Sequence, residues 1–245
     1  WATSYDQLSV LDPMVDVNQC AYVAVGMWQW WMVTGDRSLP ERMWPHVRRA
    51  LDLVCDLQAP GGHVLWARDG AVPRQEALLT GSSSMYQSLR CGIALAELIG
   101  EPQPEWELAA GLLQHAVAHH PEAFLDKSRF SMDWYYPVLG GAVRGTAARE
   151  LFDREWDTFV VPGLGARCVS DRPWVTGAET AELALPYYLE RPLNMHRYPD
   201  GTAKQGFWNK AYPSHAPSWA RSWRYPDAGA GETEEYLVVS EPALL

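Results

Sequence analysis

Two short stretches hold the residue types and spacing that chemistry requires. Ser131-Met-Asp-Trp-Tyr-Tyr-Pro137 and Trp174-Val-Thr-Gly-Ala-Glu-Thr180 each set one carboxylate, Asp133 or Glu179, among aromatic rings beside an expected helix start. A hexose presents a flat apolar face ringed by hydroxyls. A pocket for it needs indole and phenol faces, plus acids that bind hydroxyls and move protons. The expected site therefore has Asp133 and Glu179 as catalytic carboxyls. Trp66, Trp134, Tyr135, Tyr136 and Trp174 are the stacking surfaces, and Asp16 and Asn18 are positioning groups.

Each of these residues has a plainer reading beside the functional one. Glu179 stands three residues after Thr176, the spacing of a capping box, and Asp133, Asp16 and Asn18 suit turns or N-caps. The rings equally suit a core. Burial of Asp133 among three rings would raise its pKa and fit it to donate a proton. Ser82, Ser83 and Ser84 lack the G-x-S-x-G strand–turn context of a hydrolase nucleophile and read as helix-start residues. His63, His119 and His120 have no complementary acid or thiol motif beside them, so neither a metal nor a cofactor is expected.

Composition narrows the classes. With 245 residues, 47% of them hydrophobic, the chain is large enough for one sizeable core. A net charge of −10, from 30 acids and 20 bases, removes the electrostatic footprint that nucleic acid or an anionic membrane selects, so neither is an expected partner. Thirteen Trp and eleven Tyr stand against five Phe, a balance that favours rings with a polar handle and hence a wet groove. Cys20, Cys55, Cys91 and Cys168 show no C-x-x-C pair and read as reduced thiols of a cytoplasmic protein. The apolar run from Ala21 to Val33 is broken by Gln29 and is too short to span a bilayer. Since the chain opens on Trp1 and not on Met, an upstream start or a removed targeting signal is left open.

The elements expected to position the site are helical hairpins. A helix over about 18–33 is apolar nearly all round and belongs inside. Thr34-Gly35-Asp36 ends it, and a helix over about 41–58 follows with a one-sided stripe of Trp44, Val47, Leu51 and Val54, Pro45 lying in its first turn. The pattern repeats with an inner helix over 82–99 and an outer one over 105–119. Helix then continues from Pro137 to about Asp157, and another inner helix opens at 176–185. Residues 1–15 read as irregular, and His63–Ala67 as a short extended segment ending in an Asp69-Gly70 turn. The phrase Thr80-Gly81-Ser82 returns as Thr176-Gly177-Ala178, a sign of internal repetition. From Pro186 onward come seven prolines, Trp208, Trp219 and Trp223 without a helical period. That tail, 186–245, reads as an irregular part of the same domain as the helical hairpins of 1–185.

Inner–outer hairpins with Trp-rich connections resemble the α/α-toroid superfamily. The run from Thr34 through Pro40 and Trp44 to Val54 looks like a hairpin of the six-hairpin glycosidases, and Val15-Asp-Val-Asn18 like the strand-to-helix entry before it. Residues 15–185 are also similar to actinobacterial proteins labelled prenyltransferase, by kinship with terpenoid-cyclase toroids. The resemblance implies an all-α, partial (α/α) toroid with aromatic-rich loops, since a full toroid needs six hairpins and more chain than this. It implies a carbohydrate-active enzyme, foremost an inverting glycoside hydrolase acting on a small-molecule saccharide in an aromatic-lined funnel. Two alternatives stand: a terpenoid-cyclase- or prenyltransferase-like protein, against which the absence of any Asp-Asp pair counts, and a sugar-binding toroid without catalysis. The sequence sets no oligomeric state.

Overall fold

Asp16 starts the first helix. Its side chain accepts the Gln19 amide at 3.0 Å, and Gly35, at φ 69°, ends the helix by returning its N–H to the Trp31 carbonyl. The computed structural model describes residues 1–7 and 9–190. Among them α1 (Val17–Thr34), α3 (Leu79–Ile99), α5 (Ser131–Leu139) and α7 (Gly177–Glu190) pack in succession, each on the next. The helices α2 (Ser38–Asp56), α4 (Pro104–His119) and α6 (Gly145–Phe159) lie outside them. The protein is mainly helical, and three helical hairpins plus a fourth inner helix account for its helices in the described residues.

Burial explains which helices are inner. The α1 face made of Ala21, Ala24, Val25, Trp28, Trp31 and Met32 is removed from water, and α3 is packed on by α1, α2, α4 and α5. The outer helices are tied together by their tryptophans. Trp44 donates its indole N–H to Glu101 at 2.8 Å, Trp106 donates to Asp52 at 2.9 Å, and the two rings meet edge to face at 5.7 Å. A second core forms where α5, α6 and α7 meet, built on Trp134, Tyr135, Phe152, Phe159 and Leu183.

Two glycines let helices approach. A Cβ on Gly92 would stand 2.0 Å from Leu51 Cδ1 and 3.3 Å from the Trp106 ring, so α2 and α4 close onto α3 over that bare backbone. A Cβ on Gly140 would stand 2.3 Å from the Ser83 carbonyl oxygen, which sets the α5–α3 spacing.

The structure departs from the sequence reading in six places. It is not purely helical: β3 (Val15–Asp16), β4 (Ala67–Asp69) and β5 (Val72–Pro73) form an antiparallel sheet, with Val15 opposite Arg68. Residues 1–15 are not irregular, because β1 (Ser4–Asp6) and β2 (Ser9–Asp12) pair as a hairpin carrying the strand-favouring Tyr5, Val10 and Leu11. Helix does not run unbroken from Pro137 to Asp157; positive φ at Gly141 and Gly145 separates α5 from α6. A further pair, β6 (Val160–Val161) and β7 (Gly165–Ala166), follows α6. Pro45 is inside α2 and not in its first turn, since Ser38-Leu-Pro40 is already helical; it sits on the solvent side, where one lost backbone bond is made good by water. At the other end α7 runs through Pro186 to Glu190, and the remainder of the tail from Pro186 lies outside the described residues. No helix in the described residues is long and apolar enough to cross a membrane.

Leu51 is fully buried, so Leu51→Ala should cost about 2–5 kcal/mol of unfolding free energy through the cavity it leaves. Gly92→Ala should be destabilising alone and markedly less so in the Leu51→Ala background, because the atom it strikes is then gone. Urea unfolding of the four proteins measures both effects. Additive costs would contradict this packing.

Candidate functional site

The starts of the four inner helices are joined at one end by side-chain hydrogen bonds. Ser84 of α3 donates to Asn18 Oδ1 of α1 at 2.5 Å, and Thr80 of α3 donates to Asp133 Oδ1 of α5 at 2.6 Å. Tyr135 of α5 donates to Glu182 Oε2 of α7 at 2.5 Å, and Tyr136 to Glu182 Oε1 at 3.3 Å. The Tyr22 hydroxyl of α1 is in hydrogen-bond contact with both Ser84 and Tyr136. The result is a polar seam across α1, α3, α5 and α7, set in apolar surroundings.

That setting tunes the acids and phenols. Asp133 is half-buried, and loss of hydration holds its carboxyl above the usual Asp range, against the opposing pull of the Thr80 hydrogen bond. Burial first, and then the neighbouring Glu182 charge and hydrogen bond, push the Tyr135 phenol far above its ordinary value. Tyr136 rises likewise from burial, with the Tyr22 and Glu182 neighbours adding to it. Burial also raises Tyr22, against its hydrogen bonds to Ser84 and Tyr136. All three phenols therefore stay protonated, and Tyr135 and Tyr136 donate to Glu182.

The structure brings some of the expected site residues together. Asn18, Asp133, Tyr135 and Tyr136 all belong to the seam. Asp16 serves as the α1 N-cap. Glu179 accepts the Thr176 hydroxyl through Oε2, in the first turn of α7, and Oε1 has no partner among the described residues. The two Thr-Gly phrases thus do parallel work, Thr80 holding Asp133 and Thr176 holding Glu179.

The rings are divided. Trp134 is only 4% exposed; it stacks on Phe159 at 5.4 Å and donates its N–H to the Leu151 carbonyl at 2.8 Å, so its ring belongs to the second core. Tyr135 and Tyr136 are buried and contribute hydroxyls rather than faces. Trp174, just before α7, is 57% exposed, and Trp66 is half-buried, with its carbonyl accepting the Val17 amide at the start of α1. Those two flank inner-helix starts with part of their rings open.

Thr80, Tyr22 and Glu182 were not singled out from the sequence, and Ser84 read only as a helix-start residue. Thr80 stood in a quoted repeat phrase, and Glu182 follows Glu179 at the three-residue spacing that shares a helix face. Tyr22 was hidden in an apolar helix, where a phenol reads as core. No group of three or more His, Cys, Asp or Glu that would hold a metal ion occurs among the described residues.

The chain is 61% identical over 176 residues to the MMP endo-(1,4)-3-O-methyl-alpha-D-mannosidase of Mycolicibacterium hassiacum, a match that takes in 72% of this chain and 49% of that protein. The chain spans about half the length of this curated relative. Residues 177–245 match the family model of the LigD primase-polymerase domain. Among solved structures the fold is similar to D-mannose isomerase, with a TM-score of 0.53 over 76% of this chain and 58% of that one. At 12% identity that likeness concerns the fold alone.

The raised Asp133 pKa has a stability consequence. Its folded value lies above its unfolded one, so its stabilising contribution is complete below the unfolded pKa and is lost as pH rises through the folded pKa. Asp133→Asn should remove that loss. In urea unfolding followed from acid to neutral pH, the variant should gain on the parent as pH rises above the ordinary Asp value of 3.8. A variant that instead falls further behind the parent as pH rises would show that Asp133 is stabilised as the anion.

Proposed function

We propose that this chain is a carbohydrate-active enzyme that hydrolyses an α-mannoside with inversion, on a partial α/α toroid whose inner-helix starts form the site. The carrying observation is Asp133, half-buried at the start of an inner helix and held by Thr80, its carboxyl pushed above the usual Asp range by burial. The 61% identity to a mannosidase supports the substrate class. Asp133 gives its proton to the glycosidic oxygen as that bond breaks. Glu179 takes a proton through Oε1 from a water that attacks the anomeric carbon on the opposite face. The products are the freed alcohol and a sugar of inverted configuration, and proton exchange with solvent restores both carboxyls. This requires the two carboxyls to stand about 6.5–9.5 Å apart across the bound sugar. It needs no cofactor.

Glu182 has both oxygens occupied by phenols and acts as a positioning residue, fixing Tyr135 and Tyr136 along the seam. The apolar face of the sugar falls to Trp174 and Trp66 at the mouth of the funnel. Glu179 lies inside the stretch that matches the primase-polymerase model and Asp133 lies before it, so the pair takes one acid from each part of the chain.

A second reading, sugar binding without turnover, is favoured by the Thr176–Glu179 bond, which ties one oxygen of Glu179 to the protein's own hydroxyl. One experiment separates the two readings. With an α-1,4-linked 3-O-methylmannose oligosaccharide, proton NMR should show β-configured reducing ends appearing first. Asp133→Asn and Glu179→Gln should each lower kcat by roughly 100-fold or more while binding persists. First appearance of the α-anomer would overturn inversion. Binding without cleavage, unaffected by Glu179→Gln, would overturn the enzyme.

A further inference from the structure

The carboxylate seam does not account for a second concavity. A recess of about 280 Å³ opens between α2, the β3–β4–β5 sheet and the first residue, and no seam residue lines it. His46, Arg49, Ala50 and Leu53 face it from α2 at spacings of three and four residues, which places them on one helix stripe. Arg68 enters from β4 on the opposite side, and the Trp1 ring lies over His46 at 6.2 Å.

In a chain of net charge −10, neither Arg49 nor Arg68 has a carboxylate within 4.0 Å among the described residues, so both guanidiniums are left to face the recess. Arg68 Nε is buried and has no hydrogen-bond partner among them. A buried guanidinium N–H with nothing to bond is costly, and a planar fork of donors matches an oxyanion. Two unpaired guanidiniums face one cavity beside an imidazole. Ala50 and Leu53 supply an apolar floor, and an indole face closes one side.

We infer that this recess is a binding site for a sugar bearing one compact oxyanion, phosphate or carboxylate, separate from the carboxylate seam. Arg68 and Arg49 take the oxyanion, and the Trp1 ring takes the apolar face of the sugar. A neutral sugar lacks the group that the arginines require. Free phosphate lacks the ring that the indole requires.

Calorimetric titration of the full chain at low salt tests the site with glucose 6-phosphate, glucuronate, inorganic phosphate and glucose. At least one acid sugar should bind saturably and more tightly than phosphate, and glucose should not bind. The tighter of the two acid sugars assigns the oxyanion. Arg68→Gln and Arg49→Gln should each weaken that binding about tenfold, as expected for loss of a charge-assisted contact. Trp1→Ala should weaken the sugar acid and spare phosphate. Arg49 is exposed on α2, so its variant carries the test if Arg68→Gln fails to fold. Absence of saturable binding by either acid sugar would overturn the proposal, and so would binding that survives the arginine changes. Loss of mannoside hydrolysis alone would leave this result untouched, since the two sites share no residue.

Discussion

The structure depends on satisfying polar side chains where four helices begin. Ser84 and Tyr135 are fully buried, and each buried hydroxyl left without a partner would cost about 1–3 kcal/mol. Tyr135 therefore needs Glu182 before the inner helices can close on one another, while Ser84, which also meets the Thr80 and Gly81 carbonyls of its own helix, reaches across to Asn18. The bonds to Asn18, Asp133 and Glu182 run between helices, so they fix relative height and rotation that apolar contact alone leaves free. Because they lie at one end, they gather the acids of α5 and α7 on the same side of the fold. Packing at the other contacts follows: Gly140 brings α5 against α3, and Gly92 admits α2 and α4 to the far side of α3.

Much of the fold was legible because hydrophobic period is a strong signal over long helices. The all-round apolar α1 and the one-sided α2 announced an inside and an outside, and both helices lie within a few residues of their expected bounds. A strand-to-helix entry at Val15–Asn18 and an extended segment at His63–Ala67 were expected, but the pairing of the short strands was not legible. Two- and three-residue pairings such as Val15–Asp16 with Ala67–Arg68 exist only because the chain around them is already folded, and no local pattern announces them. The break at Gly140–Gly145 was masked by residues that fit close helix packing as well as a turn.

The site was legible by residue type more than by role. Aromatic rings beside Asp133 were visible in Met132-Asp-Trp-Tyr-Tyr136, but helical phase decides which of them face a ligand. It turns Trp134 into the second core and leaves Tyr135 and Tyr136 to act through their hydroxyls. Glu182 and Tyr22 gain meaning only through partners 46 and more residues away, a pairing that spacing cannot reveal. The change of character at Pro186 was visible as composition, and it falls within the stretch that matches the primase-polymerase model.

The central claim is that the inner-helix starts form the sugar site and that Asp133 faces the bond to be cleaved. A crystal structure of the Asp133→Asn protein with an α-1,4-linked mannose oligosaccharide tests it directly. The account predicts a glycosidic oxygen within hydrogen-bond distance of residue 133, a water between Glu179 and the anomeric carbon, and a sugar face against Trp174 or Trp66. An oligosaccharide bound at another surface, with residue 133 still enclosed by Thr80 and protein alone, would contradict it.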